Sequence, residues 1–282
     1  MIIFSYIAYF VLSTIAPLQR RFIIVRKNPE SSEQIRLAFE VMVMLTLGSL
    51  VFQFFSPLYF FGDKIRLLLL ALTCGVFGMG YFIANYTAQK HVDAAITSVV
   101  VNIYTPLTII FSSVFIKEGL TNIQILGTVL LLIAMFIISK KHRVGRFSFD
   151  RYFMMMILSG VLLAVLLVAE RALQIQTGLS GATMLSWGSQ CFFLGIATLF
   201  LKSKHTYTNK EIVSMGVFTL LSSISYVVLV YNVGNLSLVS STTTFKIVTI
   251  FIAAALFLNE REDLGRKIFG SIVAVVGLLL MG

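Results

Sequence analysis

Charge is scarce in this sequence, and the shortage excludes more than any motif does. Asp, Glu, Lys and Arg make up 12% of the 282 residues and apolar types 58%, against about a quarter and about half in soluble domains. A chain of that composition cannot clothe itself in groups that water solvates, so much of its surface must face hydrocarbon. Cysteine is nearly absent. Cys74 and Cys191 lie far apart in apolar runs, which excludes a disulfide framework and a thiolate metal site. The three histidines, His91, His142 and His205, fall near run ends or in connections without zinc or haem spacing. No metal and no cofactor is expected. No Walker loop occurs, and no soluble stretch is long enough to house one. The first apolar run has no Lys or Arg ahead of it and is long for a signal-peptide core, so it reads as a retained helix.

What the chain has is apolar runs of spanning length. A helix crossing about 30 Å of hydrocarbon needs about 20 apolar residues. Runs near that length cover 2–25, 35–55, 65–88, 94–116 and 123–139, then 152–175, 182–201, 212–233, 236–258 and 264–281. The fold class expected is an all-α polytopic membrane protein of about ten transmembrane helices. Residues 1–139 and 152–282 form two five-helix units joined by a basic connection at 140–151. The net charge of +10 does not point to nucleic acid, because the basic residues sit mainly in short connections, as Lys140, Lys141, Arg143 and Arg146 do. Flanking charges of that kind are expected of membrane proteins.

The two units resemble each other. Placing Glu118 on Glu260 also aligns Ser98 with Ser240, Tyr104 with Lys246, Ile110 with Ile252 and Phe115 with Phe257. One extra residue in the turn brings Gly127 onto Gly270 and Ala134 onto Gly277, and PLQRRF at Pro17–Phe22 lies against VAERAL at Val168–Leu173. With an odd number of helices per unit, the second starts on the opposite side of the membrane, so the repeats are inverted. Inverted repeats recur in secondary transporters, which bind substrate near the midplane, and they also occur in channels.

The stretches Asp93–Gly127 (DAAITSVVVNIYTPLTIIFSSVFIKEGLTNIQILG) and Asn235–Gly270 (NLSLVSSTTTFKIVTIFIAAALFLNEREDLGRKIFG) resemble the drug/metabolite transporter superfamily, specifically its EamA-type members. The shared pattern is a helix pair, a short turn beginning at Glu, and a Gly entering the last helix. Arg36 matches an Arg that recurs early in the second helix of such proteins. The Trp-Gly pair common in their first helix has no counterpart in SYIAYFVLSTIAPLQRR, so substrate contacts of that region do not carry over. The resemblance implies a secondary transporter of small metabolites.

Ionisable groups within the spans are the candidate functional residues, because each costs about 2.5–3.5 kcal/mol to insert. Lys246 stands about ten residues from either end of its run, too deep for its stem to reach headgroups. It must face a wet cavity, pair with an acid or sit neutral. Facing a cavity, it would bind an anion or carry a proton. Arg36 and Glu40 share a helix face at four-residue spacing, which reads as an ion pair, as a proton-coupling acid, or as a partner for Lys246. Glu170 and Arg171 lie near a helix end. Adjacent helical positions point about 100° apart, so they cannot both face one cavity squarely. Glu118 and Glu260 mark tight turns. Asn85, Tyr86, Asn102, Tyr104, Trp187, Gln190, Tyr231 and Asn232 are neutral polar residues able to complete a pocket or to bond between helices. Gly75, Gly78, Gly80, Gly270 and Gly277 allow close helix packing, a homodimer face or a hinge. Pro17 and Pro106 free carbonyls within helices and permit kinks.

The function expected is secondary transport of a small metabolite, amino-acid-like or otherwise polar or amphipathic, by alternating access through a midplane cavity. A coupling proton or ion would drive it, and the setting would be the plasma membrane. A lipid-translocating or accessory subunit of the same fold is the alternative. An intramembrane enzyme is remote, for want of a catalytic constellation. Lys and Arg concentrate in the connections after odd-numbered helices, which would place these in the cytoplasm and both termini outside. The resemblance implies termini in the cytoplasm, so orientation stays open.

Overall fold

Helix ends in this chain coincide with its few polar residues, because the first N–H groups of a helix need acceptors that hydrocarbon does not offer. The computed structural model describes residues 2–54, 56, 58, 59, 63–91, 97, 100–139, 151–201, 206–257 and 264–280, and all regular structure among them is helical. Helix α1 is Ile2–Lys27 and α2 is Ser31–Ser49, extended by a 3-10 turn at Leu50–Phe54; α3 is Lys64–Gln89, α4 Tyr104–Phe115 and α5 Asn122–Ser139. Then come the helical run α6, Arg151–Leu199, and α7 Asn209–Val233, α8 Leu236–Thr243, α9 Lys246–Phe257 and α10 Leu264–Leu279. Asp63 caps α3 through Ile65 N, Thr208 and Glu211 form a capping box on α7, and Asn235 caps α8 through Leu238 N. Among the described residues, five helical stretches are long and apolar enough to cross a membrane: Ile3–Ile24, Ser31–Phe54, Lys64–Gln89, Arg151–Leu199 and Asn209–Val233.

The run α6 replaces the two helices expected at 152–175 and 182–201. Its 49 residues would extend about 74 Å if straight, more than twice a bilayer core. Gly178 breaks it, at φ 68° and ψ −169°, a conformation open to glycine alone. The chain folds back there, so that Glu170 lies beside Ser186 and Trp187. Two further runs expected as continuous are interrupted at midspan. Before α4 the backbone turns at Asn102–Ile103. Pro106 has no N–H for the Asn102 carbonyl four residues back, and that carbonyl accepts from Thr105 N instead, at 3.0 Å. Between α8 and α9 the turn is at Thr244–Phe245, inside the run Ser240–Thr244. Thr243 and Thr244 both donate their hydroxyls to Ser240 O at 3.1 Å. Such back-bonding competes with the helical ladder.

The interior forms between these elements. One cluster joins α2, α3, the second limb of α6 and α7 through Leu37, Val41, Phe82, Trp187, Leu194 and Val227. A second joins α1, α4, the first limb of α6, α7 and α8 through Tyr9, Tyr104, Ala164, Leu229 and Val239. Helices α5, α9 and α10 pack through Leu131, Ala134, Ile247 and Ala274. Gly277 lies so close to α5 that a Cβ there would stand 2.8 Å from Gly127 O. The outer face carries exposed Phe54, Ile65, Phe115 and Leu199, an apolar belt suited to lipid. Most of the basic connection (140–150) and Glu260 lie outside the described residues, as do His142 and His205.

Candidate functional site

The midspan turns bring three side chains together. Asn102 Nδ2 donates to Thr244 Oγ1 at 3.2 Å, and the Thr105 and Thr244 hydroxyls are 2.9 Å apart. One step beyond, Lys246 Nζ donates to Tyr104 Oη at 3.3 Å and to Tyr9 Oη at 3.2 Å. Because α9 begins at Lys246, its ammonium projects from a helix start into the space between α1, α4 and α7. That space is a cavity of two adjoining lobes, about 200 and about 190 Å³, with Tyr9, Arg20, Tyr81, Tyr104, Ser222, Ser223 and Lys246 lining both.

The first lobe runs along α1 past Ser13, Ala16 and Pro17 to Arg21, and across to Asn85, Gln89 and Thr97. Pro17 leaves the Ser13 carbonyl without its usual donor on this wall. Arg20 is only 8% exposed. Its guanidinium stacks 4.1 Å from the Tyr86 ring centroid and reaches Thr219 Oγ1 at 3.5 Å. Arg21 donates to the carbonyls of Gln89 and Lys90 at 2.5 and 3.0 Å. The second lobe is walled by Leu166, Leu167, Glu170, Trp187 and Gln190. Among the described residues, no carboxylate lies within ion-pair range of Arg20 or Lys246. Among the described residues the lining therefore carries two cations without a carboxylate partner, Arg20 and Lys246, against one carboxyl, Glu170. A low-dielectric hollow with that imbalance attracts anions.

The remaining candidates are distributed as follows. Tyr104, Asn85, Trp187 and Gln190 line the cavity with Lys246 and Glu170. Asn85 Oδ1 accepts from Gln89 Nε2 at 2.7 Å, and Gln190 Nε2 donates to Ser186 Oγ at 2.8 Å. Tyr86 is buried beneath Arg20, and Asn102 holds the midspan turn rather than the wall. Asn232 and Tyr231 are exposed at the end of α7. Arg36 Nε meets Glu40 Oε1 at 3.2 Å on α2, and neither lines the cavity. Arg171 turns away from Glu170. Its Nε and Nη2 reach Glu118 Oε1 at 2.8 and 2.7 Å, and Nη2 also donates to Gly234 O at 2.8 Å. Glu118 Oε2 accepts from Leu236 N at 2.6 Å. This buried clamp ties α6 to the turns between α4 and α5 and between α7 and α8.

Sequence reasoning passed over Arg20, Tyr9, Tyr81, Ser222 and Ser223. For Arg20 the signal was depth: α1 continues to Lys27, so Arg20 lies about 10 Å inside its end. A Ser pair within the apolar run of α7 was the other available sign.

Residues 1–140 match the EamA-like transporter family. No curated protein sequence matches the chain. A solved crystal structure superposes on it with a TM-score of 0.66 at 13% identity, covering 96% of this chain and 95% of that one. At that identity the likeness speaks for the fold alone.

Proposed function

We propose, from the premise that this chain is an integral membrane protein carrying an EamA-like transporter domain over residues 1–140, that it is a secondary transporter for a small, negatively charged polar solute. The observation that carries this reading is the cavity in which Arg20 and Lys246 have no carboxylate partner among the described residues. Hydroxyls of Ser13, Thr219, Ser222 and Ser223, with the phenols of Tyr9 and Tyr104, supply hydrogen bonds around those charges. A lobe of about 200 Å³ equals the liquid volume of about seven waters at about 30 Å³ each, room for a small solute.

The architecture we propose is ten spans in two inverted five-helix halves, 1–139 and 152–282, joined by the basic connection 140–151. Contacts at the sequence-repeat offset support it. Asn102 bonds Thr244 and Tyr104 bonds Lys246, each pair 142 residues apart, as Glu118 is from Glu260. Interrupted helices at corresponding positions of two halves are a recurring way to build a midplane ion or solute site. Alternating access would rock the halves about the crossing turns, in the plasma membrane, with an ion gradient or solute exchange as the energy source.

A thermal-shift series on the purified protein tests this reading. Sulfate, glycolate and glycerol phosphate are expected to raise Tm, while choline and glucose leave it unmoved. Lys246→Ala should reduce the anion shifts and Arg20→Ala should reduce them further. Stabilisation by choline alone would overturn the anionic assignment.

The second reading, lipid handling, rests on an apolar groove of about 630 Å³ between α1 and α9, lined by Phe10, Val11, Ile15, Leu18, Phe22 and Ala253. It shares no lining residue with the central cavity. A headgroup lying in it would therefore not reach the cavity's cations, so we favour the soluble anion.

A further inference from the structure

Glu170 is the one carboxyl in the cavity lining, and its surroundings are unlike those of the other described acids. Glu118 is held by Arg171, Glu211 by Arg26 and Lys27, and Glu40 by Arg36. Glu33 binds Glu30 N and Thr206 Oγ1. Glu170 is 7% exposed, meets no cation, and its Oε1 has no hydrogen-bond partner. The neighbouring Arg171 is committed to Glu118 and Gly234, so it offers no compensation. Ser186 and Trp187, from the returning limb of α6, lie beside the carboxyl. Ser186 Oγ accepts from Gln190, which leaves its hydroxyl hydrogen to point at Glu170. Cys74 of α3 and Tyr226 of α7 are the titratable groups that face it from the other elements. Arg20 and Lys246 share its lobe from α1 and α9.

A buried carboxyl without a cation is stable neutral, or charged only in the field of positive groups nearby. Here those groups are the cavity cations. We propose that Glu170 is a proton site linked to anion occupancy, so that the solute anion and a proton travel together. This inference rests on the anion reading given above. With the cavity empty, Arg20 and Lys246 favour the Glu170 carboxylate across the lobe. An anion bound to them cancels that field, and the carboxylate oxygen takes a proton from water. In general, unit charges even about 10 Å apart at an effective dielectric of about 20 change each other's occupancy by on the order of tenfold. Linkage makes the effect reciprocal, so protonated Glu170 strengthens anion binding by the same factor. The pair then crosses with less net charge than the anion alone.

The test uses the full-length protein in detergent with sulfate and glycolate, which stay ionised across about pH 6 to 8. Proton uptake on mixing is read with a pH dye in weak buffer, beside the binding curve. The expected result is up to about one proton taken up per anion bound, and an affinity that falls by on the order of tenfold as pH rises through the responsive range. Glu170→Gln should bind anion with no proton uptake and no pH slope. In liposomes that variant should exchange anion but lose accumulation driven by a pH gradient. Anion binding by wild type without proton uptake would overturn the inference and leave the anion site standing. Uptake that survives in Glu170→Gln would move the proton elsewhere and overturn the assignment. Failure of wild type to bind either anion would overturn the site reading and this inference with it.

Discussion

Arg20 and Arg171 fall together when PLQRRF at Pro17–Phe22 is laid against VAERAL at Val168–Leu173, and both are 8% exposed. Their surroundings differ completely. Arg171 is saturated: a carboxylate, a backbone carbonyl and Gln174 Oε1 take up its fork. Arg20 rests on an aromatic face and a threonine hydroxyl and lines the cavity. Burial is therefore a poor guide to role in this protein. Partnering distinguishes the arginine that ties the fold together from the one we propose meets the solute. The residue just before each shows the reverse: Gln19 donates to Ser214 Oγ at 2.5 Å, while Glu170 lines the cavity.

The sharpest break of this comparison is Arg171→Ala. It strands the largely enclosed Glu118 carboxylate and should cost about 3 kcal/mol, the lower end for breaking a buried pair, read as a large fall in the Tm of the purified protein. Glu118→Ala in the same chain should recover part of that loss, because no unpaired charge remains. Next is Arg20→Ala. Anion affinity should drop by on the order of a hundredfold, consistent with losing a charge-assisted contact of about 2–3 kcal/mol, while Tm changes far less than in Arg171→Ala. Isothermal titration against the tightest anion and a melting curve separate the two effects. Lys246→Met should weaken the same anion by about tenfold, since Arg20 remains, and should leave the midspan turns in place. Lys246→Arg should retain part of the affinity. The smallest effect is expected from Arg36→Met with Glu40→Leu, a half-buried pair outside the cavity. Stability should shift by about 0.5 kcal/mol and anion affinity should not move. A large loss of binding there would show that partnered charges also serve the solute.

Much of this was legible in composition. The apolar runs foretold the helices, because hydrocarbon forces every backbone group into a local bond. The depth of Lys246 pointed to a cavity or a partner for the same reason. The 100° step between adjacent helical positions keeps Glu170 and Arg171 from both facing one cavity squarely; Glu170 lines the central cavity while Arg171 reaches Glu118, and a small hollow beside Gln174 touches both. Other features depend on what packs against what. That Arg20 faces inward depends on α7 bringing Thr219 and on Tyr86 supplying a ring, partners 199 and 66 residues away in sequence. The interruption at Thr244–Phe245 was hidden in a run that reads as a continuous span, since hydroxyl back-bonding leaves no mark on hydropathy. The fold-back at Gly178 could be placed only to within a connection.

The packing of α10 on α5 has a consequence for how the protein is made. Gly277 meets the α5 backbone closely, yet α5 ends at Ser139 and α10 begins at Leu264. At about 5–20 residues per second, α5 waits on the order of ten seconds after its own synthesis before its partner exists. Throughout that interval α5 must be held by lipid or by the insertion machinery, its small-residue face uncovered. The nascent chain is then most open to mispairing with other helices, or to degradation, and a slowly translated α10 lengthens the exposure.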